Sequence, residues 1–400
     1  MQNSLPNRPF DKFRLAITDP SHFFGRTELL DTMLMSPFEV RILLAGRRLG
    51  KTSTLRAIEW NLLNPKTTYA RRAFPVLIDL QLEQPNDLDH LRYLLIARLR
   101  EAVERWKKVP LAGIRQMYHE FLAQVKGSEV TLKFLSNLDI KLNINNPDYE
   151  RRLNNDSFRL AFIKTLDELQ RLNFQGICFL IDGAEFIVRQ NWAGDTWSYL
   201  RGLKDTDTAI KPFLGLLLSG YRDLKEYQQR VGSPLLNIAE VEWLGCMSDE
   251  ETRQLIGDRS EQENIRLSEE QVNSVLELSG SHPYLTQQTL NIIFDSHRQA
   301  LGSHLIDKLI QHHDNDFSAW WNAEQHSGGF GETERTIYYT LVQDRKGTAR
   351  SLAQRTGLSR VKVADALEVI AGSGVIRQLD DESYAIASRL FEEWVTQQIG

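Results

Sequence analysis

The chain has little cysteine, only Cys178 and Cys246 in 400 residues, and both sit in apolar contexts without metal-ligand spacing. That pattern fits a reducing compartment. Long apolar runs are missing as well: none could span a bilayer, and the opening MQNSLPNRPF lacks the apolar core of a signal peptide. No membrane contact is expected, and the cytoplasm is the expected location. Nor is there an excess of one charge, since the net charge of −5 requires any nucleic-acid contact to come from a local patch. What is present, 42% hydrophobic and 25% charged residues, is the composition of a soluble globular protein. A chain of 400 residues is too long for one ordinary core, so two or three domains are expected.

The most informative stretch is AGRRLGKTS, Ala45 to Ser53, which follows the apolar residues Val40, Ile42, Leu43 and Leu44. A buried strand that breaks into a short loop and then enters a helix is the sequence form of a phosphate-binding P-loop. Backbone N–H groups of Gly46, Arg47, Arg48, Leu49, Gly50 and Ser53 can point at an anion, with the helix dipole adding positive charge. Lys51 is placed to reach the β- and γ-phosphates, and the Thr52 hydroxyl to ligate Mg²⁺. One departure stands out: the motif GxxxxGK[ST] has glycine where this chain has Ala45, with Gly46 one step later. The bland alternative is a strand–turn–helix that holds no nucleotide.

A second landmark is the apolar run Ile177 to Ile181, which ends in Asp182-Gly183-Ala184-Glu185. A carboxylate at the C-terminal end of a buried parallel strand lies where ligands bind, the position of a Walker B aspartate serving Mg²⁺. Asp182 could instead cap a helix. Glu185 is a candidate for orienting the attacking water, or else a salt-bridged carboxylate. The run Phe213 to Leu218 ends in Ser219-Gly220-Tyr221-Arg222. Ser219 is thereby a candidate γ-phosphate sensor and Arg222 a candidate charge clamp, though Arg222 could equally be a surface arginine.

In chain order, residues 1–20 read as an extended leader with Pro6, Pro9 and Pro20. Residues 21–240 read as an α/β core with a parallel sheet, because strand and helix patterns alternate, with an insertion at about 110–150. Within that insertion LKFLSNLDIKLNIN alternates as a hairpin would. Residues 241–326 read as an all-α lid whose helices start at Ser followed by acidic residues; His282-Pro283 at its tip is placed to touch the nucleotide. After the linker Ser327 to Gly331, residues 332–400 read as a winged helix of three helices and a hairpin. Arg345, Lys346, Arg350, Arg355, Arg360, Lys362 and Arg377 suit phosphate contact, while the acidic wing tip Asp380-Asp381-Glu382 opposes it.

Taken in order, FFGRTELL, AGRRLGKTS, FLIDGAE, LLLSGYRDL, LGCMSDEETRQLI, LSGSHPYLTQQTL and YAIASRLFEEW resemble the archaeal-ATPase type of the STAND clade, P-loop ATPases related to AAA+ proteins. The likeness runs from about Phe23 to Trp394. It implies a nucleotide switch: closed with ADP at rest, self-associating with ATP when triggered, often in bacterial defence and with a separate effector or sensor. It also implies that Arg26 and Pro283 line the base pocket, that Lys51, Thr52 and Asp182 hold Mg-ATP, and that Ser219 or Arg222 reads the γ-phosphate. Gly183 stands where many relatives carry glutamate, so hydrolysis is expected to be slow and to fall to Glu185. The rival expectations are a DNA-associated AAA+-like ATPase gripping duplex through its winged helix, and a scaffold that binds nucleotide only to fold.

Overall fold

The computed structural model describes residues 16–17, 22–64, 72–108, 151–262, 266–295, 303–322 and 328–399. The expected leader, apart from residues 16 and 17, and the expected hairpin of the insertion lie outside the described residues. Helix α1 (Thr27–Met35) precedes strand β1 (Val40–Leu44), and helix α2 (Lys51–Leu63) follows the loop between. Then come β2 (Ala73–Asp79), the short α3 (Leu80–Glu83), α4 (Leu88–Lys108), α5 (Asn155–Arg171) and β3 (Gly176–Asp182). The core continues through α6 (Glu185–Val188), α7 (Ala193–Asp205), β4 (Leu214–Gly220), α8 (Asp223–Val231) and β5 (Glu240–Trp243).

The five strands form a parallel sheet in the order β2-β3-β4-β1-β5, as the alternating pattern predicts. Both faces are covered, which is why the central strands are continuous apolar runs. Along β1, Val40, Ile42 and Leu44 enter the core shared with α4, α5 and α7, while Leu43 turns to the other face with Leu55 and Ile58 of α2. Strand β5 was not expected. Its sequence EVEW is short and carries two glutamates, yet it pairs with β1 because Glu240 and Glu242 meet the buried Arg41 across the register. The expected end of the core at residue 240 falls inside this strand.

Beyond β5 lie α9 (Asp249–Gln262), α10 (Glu269–Ser279), α11 (Pro283–Asp295) and α12 (Ser303–Trp321). Ser268 caps α10 in a full capping box with Gln271, as its sequence predicts. The C-terminal stretch contains α13 (Glu332–Asp344), β6 (Lys346–Gly347), α14 (Ala349–Thr356), α15 (Arg360–Gly372), β7 (Ile376–Gln378), β8 (Tyr384–Ile386) and α16 (Arg389–Ile399). The three short strands form an antiparallel sheet in the order β6-β8-β7. One apolar core runs from Leu278 and Leu285 through Phe317 and Trp320 to Tyr338, Phe391 and Trp394. The helices on either side of residues 323–331 therefore share a single packed interior.

Candidate nucleotide site

The parallel register brings the C-terminal strand ends to one edge: Asp79 lies beside Asp182, and Leu44 beside Gly220. The loop after β1 crosses this edge and enters α2 through Gly50, whose φ of 90° is strained for any other residue. The amide of Thr54 returns to the Gly50 carbonyl at 2.8 Å, so the earlier loop amides stay out of the helix ladder. A cleft of about 250 Å³ opens at this point, lined by Arg48, Leu49, Gly50, Lys51, Thr52 and Ser53 along one wall. Phe23, Phe24, Arg26, Met247, Leu255 and Pro283 line the remainder, which is mostly apolar.

Lys51 Nζ donates to the carbonyls of Ala45 and Gly46 at 3.2 and 3.1 Å and lies 3.7 Å from the centre of the Tyr221 ring. Burial pulls its pKa down to about 8, against the pull of the Glu185 and Asp182 carboxylates. Thr52 Oγ1 donates to Asp182 Oδ2 at 2.5 Å, and Asp182 Oδ1 accepts from Ser219 Oγ and from the amide of Gly183. A hydroxyl and a carboxylate meeting at the strand edge are hard oxygen donors of the kind Mg²⁺ takes, with phosphate oxygens and water completing its shell. The donor set fits that ion. Among the described residues no group of three or more His, Cys, Asp or Glu side chains converges as a metal site of its own.

Glu185 is 3% exposed; Gln81 Nε2 donates to its Oε1 at 2.7 Å, and its Oε2 is buried without a hydrogen-bond partner. Burial raises its pKa. Arg26, at φ 61°, donates to the carbonyls of Gly245 and Cys246 at 2.6 and 2.9 Å, fixing the start of the helical region over the cleft. Ser53 lines the cleft but its hydroxyl accepts from the Ile17 amide at 2.9 Å.

Other expected residues are placed elsewhere. Arg222 points away from the cleft into ion pairs with Glu226 at 2.8 Å and Glu334 at 3.4 Å, since it follows the turn after β4 onto the α8 side. Ser219, fully buried, bonds Asp182 and does not line the cleft. His282 is also fully buried, stacked on Trp320 at 4.9 Å, so that only Pro283 of this pair reaches the cleft. Arg47 lies 5.7 Å from the Tyr221 ring, while Arg48 meets Asp316 of α12 at 3.5 Å. Gly46 faces outward: its amide donates to the Gly372 carbonyl at 3.1 Å, and a Cβ there would lie 2.7 Å from Ser373 Cα.

Sequence reading missed Tyr221, Gln81 and Gln287. Tyr221 sits in the very turn that named Ser219 and Arg222, and Gln287 stands one helical turn after Pro283. Both spacings were there to be used.

Neither a protein-family model nor a curated protein matches this sequence. Among solved structures the chain is similar to the Walker-type ATPase PABY2304 of Pyrococcus abyssi, at 15% identity and a TM-score of 0.56, covering 97% of this chain and 99% of that one. Looser likenesses are the Aeropyrum pernix ORC1 protein in complex with DNA (11% identity, 94% of both chains, TM-score 0.41) and the Thermotoga maritima RuvB Holliday junction branch migration motor (12%, 94% and 95%, 0.38). The fold is that of a P-loop ATPase: a parallel α/β core followed by a helical C-terminal region.

Proposed function

We propose that this protein is an ATP-binding regulatory switch with slow Mg²⁺-dependent hydrolysis, whose nucleotide state sets whether the C-terminal region stays docked on the core. The observation that carries this reading is the contact at the phosphate loop, where the Gly46 amide donates to the Gly372 carbonyl and a Cβ on Gly46 would meet Ser373. A loop that must rearrange around a phosphate cannot do so without being felt across that contact. Further links run the same way: Arg48 to Asp316, Trp243 Nε1 to Glu368 at 2.7 Å, Lys225 to Glu368, and Arg222 to Glu334.

In this reading residues 21–243 form the ATPase core, the helices up to α12 the lid, and residues 332–400 a winged helix that closes on the core. Lys51 neutralises the β- and γ-phosphates, and the loop amides with Gly50 hold them. Thr52 and Asp182 hold Mg²⁺, which supplies charge neutralisation on the phosphate oxygens. Ser219 orients Asp182. Glu185, held by Gln81, takes the proton of the attacking water. The glycine at 183, which leaves water activation to the buried Glu185 alone, favours holding nucleotide over fast turnover. Undocking exposes surface for self-association or for a separate effector, consistent with the defence role that the family resemblance implies.

A second reading, duplex DNA binding, is favoured by the exposed start of α15, where Arg360, Val361 and Lys362 face solvent. Against it, Asp365 and Glu368 of that helix are engaged by Lys225 of the core. The test is equilibrium binding of ADP and ATP to the whole chain and to Lys51→Ala, with steady-state hydrolysis alongside. Loss of binding in Lys51→Ala and a slow wild-type rate support the switch; unchanged binding would refute the site. DNA-stimulated turnover that steepens at low salt would favour the second reading.

A further inference from the structure

We propose that Gln287 selects the base: its side-chain carbonyl oxygen accepts a hydrogen bond from the 6-amino group of adenine and so excludes guanine. This rests on the cleft being a nucleotide site. Gln287 follows Pro283 by one turn of α11, and both line the cleft. The next turn of the same face carries Leu290, which packs with Met247, Leu255 and Phe24. Gln287 thus lies in the part of the cleft walled by apolar side chains, where a flat purine would be held.

The side chain is 5% exposed, and its Oε1 is buried with no hydrogen-bond partner. Its Nε2 donates to the Pro283 carbonyl at 3.4 Å. That contact favours this orientation of the amide, because a carbonyl can only accept and is better faced by the NH₂ than by the oxygen. The oxygen is left over, an acceptor in need of a donor. Buried acceptors without donors are rare and costly, and one lining a cleft is satisfied when a ligand brings the missing N–H.

The neighbouring polar groups are already committed. Arg26 donates to Gly245 and Cys246, and the Tyr284 hydroxyl donates to Asp316 at 2.8 Å. Adenine carries an amino donor at C6, whereas guanine carries a carbonyl oxygen there. Placed against Oε1, guanine sets acceptor against acceptor, while the bond from Nε2 to Pro283 opposes a flip of the amide. Sites that hydrogen-bond a ligand group reject analogues lacking it far more strongly than apolar pockets do.

The experiment is competition of ADP, GDP and purine riboside 5′-diphosphate, which has no 6-amino group, against a fluorescent ADP on the full chain. Wild type is expected to bind ADP about tenfold or more tighter than either competitor, the size of one well-placed hydrogen bond. Gln287→Met, close in volume, is expected to bind all three within about threefold, with ADP weakened about tenfold toward the wild-type value for the purine riboside nucleotide. Its thermal midpoint without nucleotide should change little, because the substitution removes an unpaired buried oxygen together with only the long 3.4 Å bond from Nε2 to the Pro283 carbonyl. Equal wild-type affinity for ADP and purine riboside diphosphate, or an ADP preference kept in Gln287→Met, would overturn the assignment. If wild type binds none of the three, it is the reading of the cleft that fails, and the assignment falls with it.

Discussion

The amide of Gly46 donates to the carbonyl of Gly372 at 3.1 Å, so that the loop expected to hold phosphate is itself hydrogen-bonded to the end of α15. This contact explains the displaced glycine of the P-loop motif. Position 46, not 45, is where a side chain has no room, because a Cβ would meet Ser373 Cα at 2.7 Å and Cβ at 2.8 Å. Gly46→Ala should therefore loosen the docked arrangement, at a cost of about 1–3 kcal/mol for overpacking against backbone. Hydrogen exchange around residues 372–375 reports it: faster exchange there than in wild type is expected, and unchanged protection would speak against the contact.

Asp182 gathers the hydroxyls of Thr52 and Ser219 at the edge of the sheet. If these groups serve Mg²⁺, the ion should tighten ATP binding in wild type and have little effect in Asp182→Asn. Chelation of Mg²⁺ should weaken ATP binding by about tenfold in wild type only, an effect on the order of 1.4 kcal/mol. Titration of ATP with and without the ion measures both arms.

Lys51 enters the site with its pKa lowered to about 8, chiefly by burial. Between about pH 8 and its ordinary 10.5 the unfolded chain binds this proton more tightly than the folded one, so the group's contribution to stability rises with pH in that window. Phosphate binding demands the charged form. Nucleotide affinity should hold below pH 8 and fall above it, approaching about tenfold per pH unit, with proton uptake on binding near pH 9. Calorimetry in buffers of different ionisation enthalpy detects that uptake; its absence would show that Lys51 stays charged in the free protein.

His282 is buried on Trp320 with neither ring nitrogen hydrogen-bonded, and burial lowers its pKa to about 3. The unfolded chain takes up this proton below about 6.5, so stability present above that pH is lost as pH falls toward 3. The loss is roughly 1 kcal/mol by pH 5.5. His282→Phe keeps the stacked ring and removes the titration, so denaturant unfolding should show a shallower acid decline. A decline as steep as wild type would place the acid sensitivity elsewhere.

The legible parts of this molecule are those whose physics is local. Buried parallel strands must be apolar on both faces, so β1, β3 and β4 announced themselves, and Asp182 was found because it ends such a run. Capped helix starts at Ser248 and Ser268 were equally readable. Strand β5 was not, because its glutamates are explained only by Arg41 in a strand some two hundred residues earlier. His282 and Arg222 were misplaced for the same reason. Trp320 and Glu334, distant in sequence, decide where they point.

The most direct test of the switch is the sedimentation behaviour of the full chain with no nucleotide, with ADP and with ATP–Mg²⁺, alongside Lys51→Ala. A compact particle with ADP that expands or self-associates with ATP, and a Lys51→Ala variant indifferent to both, is the predicted result. One unchanging particle in every condition, while wild type demonstrably binds ATP, would contradict it.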